Sequence, residues 1–333
     1  MTHETLTTIW YALVLVLLIG YAILDGFDLG VGILHLLNLN AIGPVWDGNE
    51  VWLLTGGGAL FAAFPPVYAT VFSGCYLALM LLLAALIARA VALEFRSKVE
   101  SPAWRNAWDW VFSLGSGVSA LLLAVAYGNV IRGMPIDSAG NFTGSFFGLL
   151  NPFAVLVGLL GVTACAMHGA IYLAGKGSDE MRPGLLRAAQ GLWVGFALLA
   201  SATILWARAA APFLFQGQLH SLAGGALLIL AVLAILAVSL FLRRGRLGAA
   251  FAASATAIGS LIALAGLAAF PRLVPSLTDL AYSLTTANSA STSRTLETML
   301  IIALIGVPIV LVYTILIHRL FRGKVVLDDD HGY

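Results

Sequence analysis

Long apolar runs, each about the length of a bilayer-crossing helix, recur along the whole 333-residue chain. About 20 apolar residues in a helix cross the hydrocarbon core of a membrane. The pattern therefore predicts an all-α, polytopic membrane bundle of about nine transmembrane helices in a single membrane domain. The predicted spans are residues 9–37, 51–71, 74–93, 110–131, 152–175, 186–207, 222–242, 248–270 and 296–321. Pro65 and Pro66 lie inside the second run, where they predict a kink or break, because proline disrupts a helix interior.

The basic residues fall unequally on the two sides of this predicted bundle. Thirteen of the 17 lysines and arginines lie in or at the edges of the loops that follow the third, fifth and seventh spans, or at the C-terminal end of the chain. Loops rich in lysine and arginine stay in the cytoplasm. The prediction is an N-terminus outside the cell and a C-terminus in the cytoplasm.

Composition narrows the possible functions. Only 10% of the residues are charged and the formal net charge is +1, without a basic cluster of the kind that binds nucleic acid. Cys75 and Cys165 lie in separate apolar runs and have no CxxC partner, which argues against a disulfide framework or a zinc site. No histidines stand at metal-ligand spacing, and no nucleotide or nucleophile motif occurs. The sequence thus predicts no catalytic, metal-binding or cofactor-binding residue in this chain.

Two carboxylates interrupt the first span. Asp25 and Asp28 lie about 60° apart on a helix and so face the same neighbour. Because a charge at membrane depth costs at least a few kcal/mol, a partner charge, water or a bound proton must offset it. We predict a proton-handling pair or a cation site. The alternative is that the helix ends early and the two aspartates lie at the interface with water. Gly26 and Gly30 predict close approach of another helix.

A second acidic pair, Asp47 and Glu50, opens the next apolar run. Acidic residues are common near a helix N-terminus, where they complement the dipole, and this is the alternative to a functional role. The neighbours Trp46, Asn49 and Trp52 are predicted to be structural or interfacial. In the predicted orientation Asp47 lies nearest the cytoplasm, so the four carboxylates would form a proton pathway leading into the membrane.

The polar residues near the end of the third span are predicted to have structural roles. Arg89 and Glu94 end the third span, with Arg89 predicted to be structural or interfacial, and Glu94 is expected to pair with Arg96 or Lys98. Asp109, between two tryptophans, is expected at the membrane interface.

Two histidines lie within apolar runs. His168 is predicted to be a hydrogen-bonded interior residue rather than a metal ligand. His35 follows Asp28 by seven residues, so it either extends the acidic stripe or packs in the interior.

Several motifs resemble subunit II of cytochrome bd-type quinol oxidases, and two features resemble the cyanide-insensitive branch, namely Glu50 and the Ala-Leu-Glu at 92–94. The resemblance is densest over residues 21–110 but continues in order to the last span. The motifs are 21–32 (YAILDGFDLGVG), 44–53 (PVWDGNEVWL), 57–65 (GGALFAAFP), 95–98 (FRSK), 104–110 (WRNAWDW), 128–129 (GN), 150–153 (LNPF) and 270–271 (FP).

This resemblance implies a bacterial inner-membrane heterodimer that oxidises quinol and reduces dioxygen. The b- and d-type haems would belong to subunit I, which subunit II completes without haem ligands of its own. Asp47 matches the family aspartate of a cytoplasmic proton pathway, and Asp25 and Asp28 match the first-span pair. A small accessory subunit, a structural quinone and lipids are further partners that the family leaves open.

Two rival interpretations remain open on the residues alone. A proton- or cation-coupled secondary transporter would also place carboxylates, glycines and a broken helix in the membrane. Against many transporters, the predicted spans after residue 186 contain no intramembrane Asp or Glu that would repeat the site. A purely architectural subunit without a proton role is the other rival.

Overall fold

The computed structural model describes residues 1–34, 42–321 and 323. The described helices are α1 (His3–Ile33), α2 (Trp46–Ala63), α3 (Pro65–Gly74), α4 (Tyr76–Phe95), α5 (Pro102–Arg132), α6 (Phe146–Leu149), α7 (Pro152–Lys176), α8 (Arg182–Ala210), α9 (Leu222–Arg243), α10 (Leu247–Ala269) and α11 (Ser293–Leu320). Two short antiparallel strands, β1 (Arg272–Val274) and β2 (Leu284–Thr285), lie between α10 and α11. The predicted all-α class is confirmed.

Eight of the described helices are long and apolar enough to cross a membrane: α1, α4, α5 and α7 to α11. The predicted second span is not among them, because α2 ends at Ala63 and α3 begins at Pro65. The break at Phe64 lies where the two prolines prevent one continuous helix. The number of crossings and the orientation of the chain stay predictions.

Helix α1 lies at the centre of the bundle. All eight residues from 25 to 32 are buried, so this part of the helix has no face left for lipid. A helix buried all round belongs to the interior of a bundle, and α1 packs against α2, α5, α7 and α10. The two aspartates of the first span are therefore held inside the protein.

Glycines allow the backbones of α1 and α7 to touch. A Cβ added to Gly30 would lie 1.8 Å from the carbonyl oxygen of Cys165, and one added to Gly169 would lie 2.4 Å from the carbonyl carbon of Gly30. No larger residue fits at such a contact. The predicted close approach at Gly30 is confirmed, and α7 is the helix that makes it.

Two helices keep broad apolar faces uncovered within the chain. No residue in the most apolar stretch of α11 is buried. On α2, Leu54 is 75% exposed, and an added Cβ at Gly57 or Gly58 would meet nothing within 4 Å. These faces meet lipid or another chain.

The loop between α5 and α6 and the loop between α10 and α11 pack against each other. The N–H of Met134 donates to the carbonyl of Pro275 at 2.9 Å, and the N–H of Leu277 donates back to Met134 at 3.0 Å. The Ser291 hydroxyl donates to the carbonyl of Ala62 at 2.6 Å. The loops thus form a small cap that satisfies backbone groups at the end of α2.

Candidate functional site

A fully buried arginine holds two of the predicted carboxylates. Arg89 of α4 and Asp25 of α1 both have 0% side-chain exposure, and Nη2 of Arg89 lies 3.0 Å from Oδ1 of Asp25. Nη1 of the same guanidinium lies 2.8 Å from Oε1 of Glu50 on α2. One arginine therefore joins three helices through charge-assisted hydrogen bonds. We call Asp25, Asp28, Asn49, Glu50 and Arg89 the Arg89 cluster.

The position of Arg89 differs from the sequence prediction. The positive-inside count placed Arg89 with the basic residues that follow the third span, whereas it lies within α4, one and a half turns before the helix ends. Helix α5 comes close to it at Gly115, where an added Cβ would lie 2.9 Å from the carbonyl oxygen of Ala85. The guanidinium carbon also lies 5.8 Å from the centre of the Phe112 ring. Arginine is suited to this position because its planar donors serve two carboxylates at once.

Asp28 is satisfied differently from Asp25. The side-chain nitrogen of Asn49 donates to Oδ2 of Asp28 at 2.7 Å and also lies 3.3 Å from the carbonyl oxygen of Leu24. Asn49 is 1% exposed and Asp28 is 0% exposed. Asn49 is therefore the hydrogen-bond donor to the buried carboxyl of Asp28.

Both first-span aspartates lie within α1 and are buried. Helix α1 continues to Ile33, and Asp25 and Asp28 are inaccessible to solvent. The alternative that this pair sits at an interface beyond the helix is therefore wrong. The sequence left open what compensates for the cost of burying these two carboxylates. Asp25 has a partner charge, and Asp28 has a hydrogen bond from a neutral amide.

The acidic pair of α2 divides between two environments. Glu50 is 27% exposed and pairs with Arg89, whereas Asp47 is exposed in the first turn. Val45 is the N-cap and makes no side-chain cap. Glu50 thus takes part in an ion pair rather than in capping, while Asp47 is placed where a negative charge complements the helix dipole. Asp47 is close enough to Glu50 to interact with it electrostatically.

The two predicted tryptophans support the same helix. Trp52 is buried and lies against Gly20 of α1, where an added Cβ would be 2.3 Å from the indole ring. Trp46 is half-buried and packs against the apolar cluster that contains Phe27 and Ile42. These contacts fix α2 against α1 and so position Asn49 and Glu50.

The interfacial ion pair has a different partner from the one predicted. Nε of Arg96 lies 2.5 Å from Oδ1 of Asp109, and both side chains are partly exposed. Arg96 thus pairs with Asp109 on α5 and not with the exposed Glu94, because α4 and α5 form a hairpin that brings their ends together.

His168 is buried as predicted and takes part in a neutral contact. Its Nδ1 lies 2.7 Å from Oγ of Ser254 on α10, and its ring stacks on Phe251 with centroids 4.3 Å apart. We call His168, Phe251 and Ser254 the His168 cluster. His35 lies outside the described residues, so its predicted alternatives are untested.

Over the described ranges, no group of three His, Cys, Asp or Glu side chains is placed to hold a metal ion. The residue that sequence reasoning undervalued is Arg89. Its signal was present, since an arginine within an apolar span must pair with an acid, and Asp25 and Glu50 were the available acids.

Comparisons with known proteins agree with each other. The model of the family described as cytochrome bd terminal oxidase subunit II matches residues 6–321. Cytochrome bd-I ubiquinol oxidase subunit 2 of Escherichia coli K12 is 36% identical and covers 98% of this chain, with 97% of its own length covered. Cytochrome bd ubiquinol oxidase subunit 2 of Bacillus subtilis is 33% identical, with 99% of both chains covered.

A solved structure shows the same fold. The bd oxidase of Geobacillus thermodenitrificans contains a chain that superposes with a TM-score of 0.79 at 22% identity, covering 95% of this chain and 98% of that one. Together, the family match over nearly the whole length and the two curated relatives show that this multi-pass membrane protein belongs to the cytochrome bd terminal oxidase subunit II family.

Proposed function

We propose that this chain is the haem-free subunit II of a bd-type quinol:dioxygen oxidoreductase. In this proposal it stabilises a haem-bearing subunit I and lines a proton pathway from the cytoplasm with Asp47, Glu50, Asp25 and Asp28. Reduction of dioxygen to water consumes protons at the redox centre, so a membrane-embedded oxidase needs such a route. This chain would not be catalytic by itself.

The observation that carries the proposal is the imbalance of charge around Arg89. Asp25 and Glu50 share one guanidinium, while the nearby buried carboxyl of Asp28 accepts a hydrogen bond from the neutral amide of Asn49. Burial of unpaired negative charge is expensive, so an extra acid beyond the one that Arg89 neutralises requires a proton or water nearby. A group of acids with fewer cations than carboxylates is suited to take up and pass on protons.

The exposures of the four acids suggest a direction. Asp47 is exposed, Glu50 is partly exposed, and Asp25 and Asp28 are fully buried. A proton would enter at Asp47, reach Glu50 one turn later on the same helix face, and continue to the buried pair. In the predicted orientation this order leads from the cytoplasm into the membrane.

The uncovered face of α2 supports a partner subunit. Glu50 is 27% exposed on the same helix as the exposed Leu54 and Phe61. A glutamate is costly against lipid, so another protein chain rather than hydrocarbon is expected to cover this face. Gly57 and Gly58 would permit that chain to approach closely.

The surroundings of His168 and His318 support placing the haems in the partner subunit. Nδ1 of His168 lies 2.7 Å from Oγ of Ser254, and the ring face is covered by Phe251. Nδ1 of His318 contacts the carbonyl of Thr314 in its own helix. A macrocycle would have to displace these contacts, so we place the haems in the partner and derive no step through them here.

A purely architectural role is the second candidate. The salt bridges of Arg89 to Asp25 and Glu50 are what a helix-joining ion network would show. A variant that removes a carboxylate outside those salt bridges separates the two candidates, and Asp47 is that carboxylate.

The test is the Asp47→Asn variant of the intact oxidase in proteoliposomes. If Asp47 admits protons, oxygen reduction and proton uptake per assembled complex will fall several-fold, while the haem absorbance that reports assembly stays at the parent level. Glu94→Gln is the matched control, because Glu94 is an exposed acid on α4 outside the cluster. Parent-like proton uptake in Asp47→Asn would favour the architectural role.

A further inference from the structure

Two buried serines of α5 lack protein partners. Ser116 and Ser119 are both 0% exposed, and neither Oγ has a hydrogen-bond partner among the residues that the structure describes. Buried polar atoms are hydrogen-bonded in the great majority of cases. Because these hydroxyls are sealed inside the bundle, a partner subunit cannot supply the missing bonds.

Several other helical hydroxyls in this chain behave differently. Thr163, Ser201 and Ser260 each donate to a carbonyl one turn earlier in their own helix, at 2.8, 2.8 and 2.6 Å. Such back-bonding is the ordinary way to satisfy a hydroxyl inside a membrane helix. Ser116 and Ser119 do not use it, so their hydroxyls are turned toward neighbouring helices.

Both serines lie on the part of α5 that packs near Arg89. Ser116 contacts α1, since an added Cβ at Gly32 would lie 2.1 Å from its Oγ. Ser119 lies about 40° around the helix from Gly115, which packs against Arg89. Phe112, whose ring is 5.8 Å from the guanidinium carbon, precedes the serines on the same helix stripe.

The Arg89 cluster contains unsatisfied atoms of its own. Oδ2 of Asp25, Oδ1 of Asp28 and Nε of Arg89 are buried and have no hydrogen-bond partner within the described part of the chain. With the two serine hydroxyls, these make five buried polar atoms along α1, α4 and α5 without a hydrogen-bond partner in the described part of the chain, and the hydroxyl of Tyr21 on α1 is a sixth. The five include acceptors, a donor and two hydroxyls that can act as either.

We propose that these five atoms bind a chain of buried water molecules between α1, α4 and α5. A buried water makes about three hydrogen bonds, so at least about two waters are needed to satisfy them. Ser116 and Ser119 are the protein groups that hold these waters against Arg89. The waters join the Asp28 side of the cluster to the Asp25 side, which no direct protein hydrogen bond in the described chain connects.

This water chain gives the serines a role in proton transfer, a part of the inference that rests on the proposed function. Arg89 cannot release a proton under ordinary conditions. A proton therefore passes between the two aspartates only around the guanidinium, through water and hydroxyl groups. Ser116 and Ser119 are positioning residues for that water, with no contact to the redox chemistry itself.

The experiment is a high-resolution cryo-EM comparison of the intact oxidase carrying Ser116→Ala and Ser119→Ala together, Ser260→Ala alone, or no change. Ser260 is the matched control, a buried helical serine already bonded within its own helix. We expect water density within hydrogen-bonding distance of both serines in the parent, its loss in the double variant and its retention in Ser260→Ala. Haem absorbance checks that each complex is assembled.

Two results would overturn the water chain: serine hydroxyls bonded only to protein in the parent, or the same densities in the double variant. Oxygen reduction by the same samples tests the proposed function separately. Loss of the densities with a several-fold fall in turnover supports both proposals. Loss with unchanged turnover supports the water site and contradicts a proton pathway through it. If the double variant fails to assemble, the parent map and Ser119→Ala alone decide the question.

Discussion

The Arg89 cluster and the His168 cluster both bury polar side chains in the bundle, but they satisfy them by different means. His168 and Ser254 form one neutral hydrogen bond next to a stacked phenylalanine. Arg89 instead holds Asp25 and Glu50 by ion pairs, with Asp28 close by. Replacing a buried ion pair with apolar residues is often neutral or stabilising. The comparison teaches that two helices of this bundle can bury polar groups against each other without charge, so the charges around Arg89 favour a functional explanation.

The largest effect is expected from Arg89→Met, which keeps an unbranched side chain but removes the cation. Asp25 would be left buried without its partner, and breaking a buried pair costs about 3–5 kcal/mol. We expect a strongly reduced yield of haem-containing complex and a lower Tm in detergent, measured by haem absorbance and thermal unfolding. Arg89→Met with Asp25→Asn removes both charges and should recover part of that stability. If the double variant were no more stable than the single one, charge pairing would not explain the loss.

A smaller effect is expected from His168→Leu in the neutral cluster. The substitution removes the contact to Ser254, whose hydroxyl still donates to the carbonyl of Phe251 at 2.9 Å. Loss of one neutral hydrogen bond costs about 1 kcal/mol. We expect a modest fall in Tm with parent-like oxygen consumption per complex. A fall in stability as large as that of Arg89→Met would remove the distinction between the two clusters.

The smallest effect is expected from Asp109→Asn at the partly exposed pair with Arg96. Solvent screens such pairs, and their contribution is usually below about 1 kcal/mol. We expect a small fall in Tm that shrinks further as salt is added, measured by thermal unfolding at two ionic strengths. An effect that matched Arg89→Met would show that pairing itself, rather than burial, sets the cost.

The pattern of apolar runs, prolines and glycines along the chain determined much of the fold by itself. It predicted the all-α membrane bundle, the interruption at Pro65 and the close contact at Gly30. These features depend on local chemistry, because helix length, proline and a missing Cβ act wherever they occur. The motifs of the first two helices were also enough to indicate the family, which the comparisons then showed.

The partners of the buried charges were decided only by the tertiary structure. The sequence named Asp25, Asp28 and Glu50 but did not reveal that Arg89, 64 residues after Asp25, would lie between them. It also offered Arg96 or Lys98 as the partner of Glu94, whereas the α4–α5 hairpin pairs Arg96 with Asp109. Helix rotation and packing choose which polar groups meet, and periodicity along one helix does not encode the neighbour on another. The sequence therefore determined that costly charges enter the membrane, and the fold decided which side chains stabilise them.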